Sequence, residues 1–158
     1  MDALDARILL ALDEDPDATA LALAQRLGIA RNTLSARLTR MRETGALREF
    51  SRRVDPAHLG RGLVAFVSIA ISQTTSTGVT DVLRAVPEVV EMHMTTGEAD
   101  LLVKLVAVDT ADLHRITNQI LEAPGVVRTS TAISLFEEMP LRLQALIRQV
   151  ATTPTPRT

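Results

Sequence analysis

The chain has 158 residues, 46 % of them hydrophobic and 2 % aromatic, with a formal net charge of -2. That length holds one ordinary domain or two small ones, and the apolar share supports a folded core rather than a disordered chain. Three Phe with no Tyr or Trp argue against stacking on single-stranded nucleic acid, and the absence of Cys excludes disulfides, thiolate metal sites and a thiol nucleophile.

The opening MDALDARILLALDEDP has an apolar stretch that is short and preceded by acids, without a basic leader. It reads as a helix over about 2–13, not a signal peptide. Leu4, Ile8, Leu9 and Leu12 share its inner face, Asp2 or Asp5 serves its amino end, and the acids at 13–17 with Pro16 end it. No apolar run reaches transmembrane length, so a cytoplasmic protein without membrane contact is expected.

The segment ALALAQRLGIARNTLSARLTRMRETGALREFSRRV (20–54) reads as two helices, two tight turns and a basic wing. Thr19 is the expected N-cap of a helix at 20–27, and Gly28 its left-handed terminator. The next helix, about Arg31 to Thr44, buries Leu34, Leu38 and Met41 and closes at Gly45. ALREFSRRV (46–54) alternates apolar and polar residues, which predicts one or two short strands. DPAHLGRG (55–62) is a turn-rich linker. The layout is a winged helix-turn-helix, with the arginine-rich second helix as its reader.

Residues 31–53 hold seven Arg against Glu43 and Glu49, whereas 62–140 hold four basic and ten acidic groups. Phosphate attraction acts over a Debye length of about 10 Å, so the local basic patch outweighs the overall sign. Double-stranded DNA is the expected partner. Arg31, Asn32, Thr33 and Ser35 lie where such a helix meets base edges, with Arg37 and Arg40 further along. Arg48, Arg52 and Arg53 suit phosphate or minor-groove contact from the wing. A solvated arginine-rich face is the competing reading of the same residues.

The second half predicts strands at 63–72, 89–95, 100–108 and 126–136, with helices at 79–86 and 109–123. Thr77 or Gly78 opens the first helix, and Asp109 or Thr110 caps the second. The order βαββαβ is the ferredoxin-like arrangement, an antiparallel sheet with both helices on one face. Val64, Phe66, Ser68, Ala70 and Ser72 then fall on one face of the first strand, and Leu63, Ala65, Val67, Ile69 and Ile71 on the other. Strands apolar on both faces want cover on both sides, which points to pairing of two copies through their sheets. The hairpin tip TTGEAD (95–100) groups Thr96, Gly97, Glu98 and Asp100. Its carboxylates suit the ammonium of a small zwitterion and its amides the carboxylate, although an ordinary polar hairpin tip reads the same way. MPLRLQALIRQV (139–150) predicts a last helix, and 151–158 a disordered tail.

His58, His93 and His114 are scattered without metal-ligand spacing, and no phosphate loop or nucleophile elbow is present. No metal site, catalytic residue or cofactor is assigned.

Residues 2–140 resemble the Lrp/AsnC family of transcriptional regulators, the feast/famine proteins. Asp5 with Ile8-Leu9 falls on the family's opening positions, and Arg37, Leu38, Met41 and Gly45 on its Arg-aliphatic-aliphatic-Gly pattern. The family loop Gly-Asp-x-Asp appears here as Gly97, Glu98 and Asp100, followed by Leu101. The resemblance implies an α+β chain: a winged helix-turn-helix (1–54), a linker (55–62), a ferredoxin-like RAM or ACT-like module (63–140) and a C-terminal helix and tail (141–158). It also implies an amino acid or related metabolite as effector, Thr129 and Thr131 near it, and homodimers assembling to tetramers or octamers. Ala30 stands where a capping Ser is common in the family, a loss of about 1 kcal/mol in a typical helix. The chain is therefore expected to be a sequence-specific regulator modulated by a small molecule. An architectural DNA-binding protein without an effector is the alternative. An enzyme or metabolite sensor with a protein-binding amino-terminal module is the third reading.

Overall fold

The computed structural model describes residues 1–72 and 78–153. Thr77, one of the two candidates for opening the helix at 79, and the tail from 154 lie outside the described residues.

Two compact units are present: Met1–Arg53 together with the segment from Met139, and Val54–Glu138. In the first unit α1 (Ala3–Glu14), α2 (Ala20–Leu27) and α3 (Arg31–Glu43) enclose a small aliphatic core of Ile8, Ala11, Leu23, Ala24, Leu34 and Met41. The helix α6 (Gln144–Thr152) packs along α1. It begins five residues later than the sequence predicts, and Met139–Leu143 stay irregular.

The strands expected at 46–54 do not form. Leu47 N–H instead donates to the Met41 carbonyl (2.9 Å), and Phe50–Arg53 make a short 3-10 turn. A two-stranded wing needs a turn between its strands, and ALREFSRRV contains no Gly, Pro, Asn or Asp to make one. Alternation alone did not supply a pairing partner.

The second unit is built on a four-stranded antiparallel sheet in the order β2-β3-β1-β4, with β1 Leu63–Ile71, β2 Val89–Met94, β3 Leu101–Ala107 and β4 Val126–Ile133. The helices α4 (Val79–Arg84) and α5 (Thr110–Leu121) follow β1 and β3. Ala65, Val67, Ile69, Leu101, Val103 and Leu105 turn one face towards Val79, Leu83, Leu113, Ile116 and Ile120. The period-2 reading assigned these faces correctly. Within this unit no described helix packs on the opposite face, where Phe66 is 40 % exposed.

Candidate nucleic-acid interface and effector loop

The geometry of α2 and α3 rests on local signals. The Thr19 hydroxyl accepts from Ala22 N–H (3.2 Å), which starts α2. Gly28 ends it at φ 66°, ψ 35°, where a Cβ would strain the backbone, and Ile29 N–H closes the turn on the Ala24 carbonyl (3.0 Å). Leu34 and Met41 are buried and Leu38 partly so, which fixes the inner stripe of α3. Arg31, Asn32, Thr33 and Ser35 are all exposed, and no described residue bonds to their side chains. Ala30 precedes them in extended conformation and contributes no side-chain cap, so the first-turn amides of α3 lack that internal acceptor.

Arg37 and Arg40 are placed differently from these four. Arg37 Nη1 donates to both oxygens of Asp2 (2.8 and 2.6 Å) and to Asp5 Oδ1 (2.7 Å). Arg40 Nη2 donates to Asp5 Oδ2 (2.6 Å). The two acids already cap α1 reciprocally: Asp5 N–H donates to Asp2 (2.9 Å) and Asp2 N–H to Asp5 (3.1 Å). The bond to Arg37 holds the Asp2 carboxyl below its ordinary value of 3.8. Burial pushes the Asp5 carboxyl up, and the Asp2 N–H and the Arg37 guanidinium outweigh it, so its value is also lowered. The Asp2 and Asp5 bonds in turn raise that of Arg37. This network was missed in the sequence. The one available signal was the coincidence of acids at the start of the first helix with arginines one turn apart on the third.

Beyond α3, Arg48, Arg52 and Arg53 are exposed and line a groove with Leu12, Leu38, Leu47 and Phe50. The Arg53 guanidinium lies 5.2 Å from the Phe50 ring centroid, within range of a cation–π contact. The structure thus gathers the wing arginines on one surface without a strand to carry them.

In the second unit the loop 95–100 joins β2 to β3. Thr95 N–H donates to the Asp100 carbonyl (2.9 Å) and Thr95 Oγ1 to the Ala99 carbonyl (2.8 Å). Gly97 adopts φ 113°, a conformation that side chains disfavour. Asp100 N–H donates to the Ile69 carbonyl (2.9 Å), and its Oδ2 accepts from Ile71 N–H (2.8 Å), where the β1–β4 register shifts. One oxygen of Asp100 therefore secures the loop to β1, while Thr96 and Glu98 stand exposed. Thr129 pairs with Ile69, and Ile69 with Leu101, so Asp100 and Thr129 share one end of the sheet on either side of β1. Thr131 pairs with Val67, two residues further from the loop. No group of acids and histidines able to hold a metal ion occurs among the described residues.

A second ionic cluster, also missed in the sequence, lies in this unit. Arg61 and Arg115 both reach Glu88 and Asp112. The Val108 N–H and then Arg115 hold the Asp112 carboxyl below its ordinary value, and Asp112 chiefly raises that of Arg115. These bonds join the start of β1 to α5 and the turn before β2.

Comparison with known proteins gives two family matches: the Lrp/AsnC ligand binding domain over residues 64–152, and a winged helix-turn-helix DNA-binding domain over 1–48. The chain is 32 % identical over 142 residues to the HTH-type transcriptional regulator AldR of Mycolicibacterium smegmatis, covering 88 % of this chain and 83 % of AldR. Its fold is similar to AsnC of E. coli, with TM-score 0.80 and 25 % identity, covering 91 % of this chain and 98 % of AsnC. It is also similar to the transcriptional regulator NMB0573 of Neisseria meningitidis in complex with L-Met, with TM-score 0.74 and 25 % identity, covering 92 % of this chain and 99 % of NMB0573.

Proposed function

The chain belongs to the Lrp/AsnC family of transcriptional regulators, and on that premise we propose that it reads a specific double-stranded DNA site through residues 1–54 and answers an amino acid or related metabolite through residues 63–140. The observation that carries the DNA reading is the outer surface of α3. Arg31, Asn32, Thr33 and Ser35 are exposed and unengaged at the start of a helix whose stripe of Leu34, Leu38 and Met41 packs into the core. Arg offers guanine a bidentate donor pair, Asn matches adenine, and Thr and Ser serve bases or phosphate. The open first-turn amides favour a phosphate at the same end. Arg48, Arg52 and Arg53 take flanking phosphates, and half-exposed Arg40 retains donors for one.

The effector reading rests on the loop 95–100 and the neighbouring β4, where Glu98 and Thr96 are free and Thr129 lies across β1; Gly97 keeps the backbone approachable, and Asp100 holds the loop in place. The L-Met complex of NMB0573 supports an amino acid as the ligand class. The uncovered sheet face supports pairing of two copies, with homodimers assembling to tetramers or octamers. An effector bound in one assembly and not another shifts the population between them, and with it the spacing of the DNA-reading helices. Among the described residues no helix is long and apolar enough to cross a membrane.

The test is binding of the purified protein to the DNA upstream of its own gene against a scrambled duplex at physiological salt, with and without a panel of amino acids. Preference for the upstream duplex, altered by one amino acid, is expected. Equal, steeply salt-dependent binding to both would favour an architectural protein instead. Absence of binding to either would remove the DNA assignment.

A further inference from the structure

Asp5 is the one buried charged residue among the described residues, with 1 % of its surface exposed. A carboxylate is tolerated there only if it is fully paired. Its partners are the cap of its own helix and two arginines of α3, so it ties the amino end of α1 to the middle of α3. The side chains of Arg37 and Arg40 are 24 % and 54 % exposed. Arg37 is thus largely withdrawn, with one terminal nitrogen committed to three carboxylate oxygens. The apolar contacts of Leu34 and Met41 hold α3 against the core, but hydrophobic contact is non-directional and a narrow stripe tolerates rotation about the helix axis. Charge-assisted hydrogen bonds are directional and oppose that rotation.

We infer that Asp5 is the positioning residue of the DNA reader: acting through Arg37, with Asp2 as second anchor, it sets the rotation of α3 that aims Arg31, Asn32, Thr33 and Ser35 at the bases, and Arg37 itself does not touch DNA. The inference rests on the DNA reading proposed above. It also reverses an electrostatic expectation. Removing an acid beside a DNA-binding helix should tighten binding to every duplex and steepen its salt dependence, by about 0.9 in log–log slope per added effective phosphate contact. Removing a positioning acid loosens binding to the specific site alone.

The experiment measures affinity of the full chain for the upstream and scrambled duplexes across a salt series, comparing wild type with Asp5→Asn, Asp2→Asn and Arg37→Gln. For Asp5→Asn and Arg37→Gln, the preference for the upstream duplex is expected to fall about tenfold, the order of one mismatched base pair. Scrambled-duplex binding should be unchanged or tighter for Asp5→Asn and no tighter for Arg37→Gln, which leaves two carboxylates less compensated, while the salt slope of Arg37→Gln stays undiminished. Two results would overturn the inference: Asp5→Asn tightening both duplexes equally with preference intact, or Arg37→Gln lowering the slope by about 0.9, the signature of a lost phosphate contact. Circular dichroism checks folding. If the buried variants unfold, Asp2→Asn carries the test, with a loss of preference of about threefold expected and none overturning. If wild type prefers neither duplex, the DNA reading fails by itself. The tether is then judged by amide exchange in the free protein: faster exchange in α3 than in α2 of Asp2→Asn supports it, and unchanged α3 protection overturns it.

Discussion

Ala30 enters α3 at φ -69° and ψ 143°, the extended geometry of an N-cap, yet no side-chain acceptor meets the first-turn amides. Thr19, at the matching place before α2, holds φ -64° and ψ 151° and does accept such a bond. A Ser at position 30 needs no backbone change to do the same. Ala30→Ser is therefore expected to stabilise the free protein by about 1 kcal/mol and to raise Tm by a few degrees, roughly 4 °C or more for a unit of this size. A thermal melt followed by circular dichroism checks this, and an unchanged or lower Tm would show that these amides already find equivalent partners in water. Caps were legible in the sequence because donor and acceptor lie three residues apart. The Asp5–Arg37 pair was not, because 32 residues separate its members and only the packing of α1 on α3 brings them together. For the same reason Arg37 reads in sequence as one more free arginine of a basic helix.

Helices and strands with a clear period were legible almost to their ends, from α2 at Ala20–Leu27 to β1 at Leu63–Ile71. Their pairing was less so: the apolar–polar alternation in 46–54 reads as a strand, but that stretch has no neighbour to bond with. In the sheet, by contrast, the apolar residues on both faces of β1 also identified the surface that lacks cover. Phe66 pairs with Lys104 and Ser68 with Leu102 on that face. Phe66→Glu puts a carboxylate opposite Lys104, a favourable cross-strand pair for an isolated protomer. Between two sheets packed face to face the same carboxylate would be buried at a cost of several kcal/mol. The variant is expected to keep its circular dichroism and to lose the proposed sheet-paired dimer by size exclusion with light scattering. An unchanged mass would place the pairing surface elsewhere. The proposed effector loop was only half legible for a similar reason: TTGEAD marks a tight turn, but the commitment of Asp100 to Ile71 N–H depends on the register between β1 and its neighbours.

At the scale of the whole molecule the charge is divided, with a basic excess in 31–53 and an acidic excess in 62–140, so the net value of -2 describes neither part. DNA attraction belongs to the amino-terminal unit, and the acidic module disfavours a second contact. A protomer then presents one recognition helix, and the proposed pairing of protomers would raise specific affinity by engaging two half-sites. The stretch leading to β1 is itself ordered: Asp55 accepts from Ala57 N–H (2.9 Å) over the 3-10 turn Pro56–Leu59, and Gly60 closes the turn in the left-handed conformation. In the proposed dimer two such readers should demand a fixed phase on the duplex. Half-sites about 34–36 Å apart, or a multiple of that, lie on one face of B-DNA. Inserting about 5 base pairs between half-sites rotates the second to the opposite face, and inserting about 10 restores it. Affinity of the full chain is expected to fall by at least tenfold with the half-turn insertion and to recover most of that with the full turn. A smooth decline with spacer length would instead mean that the readers move independently. A constant affinity would mean that a single half-site carries all the binding, leaving the proposed sheet pairing without a part in recognition.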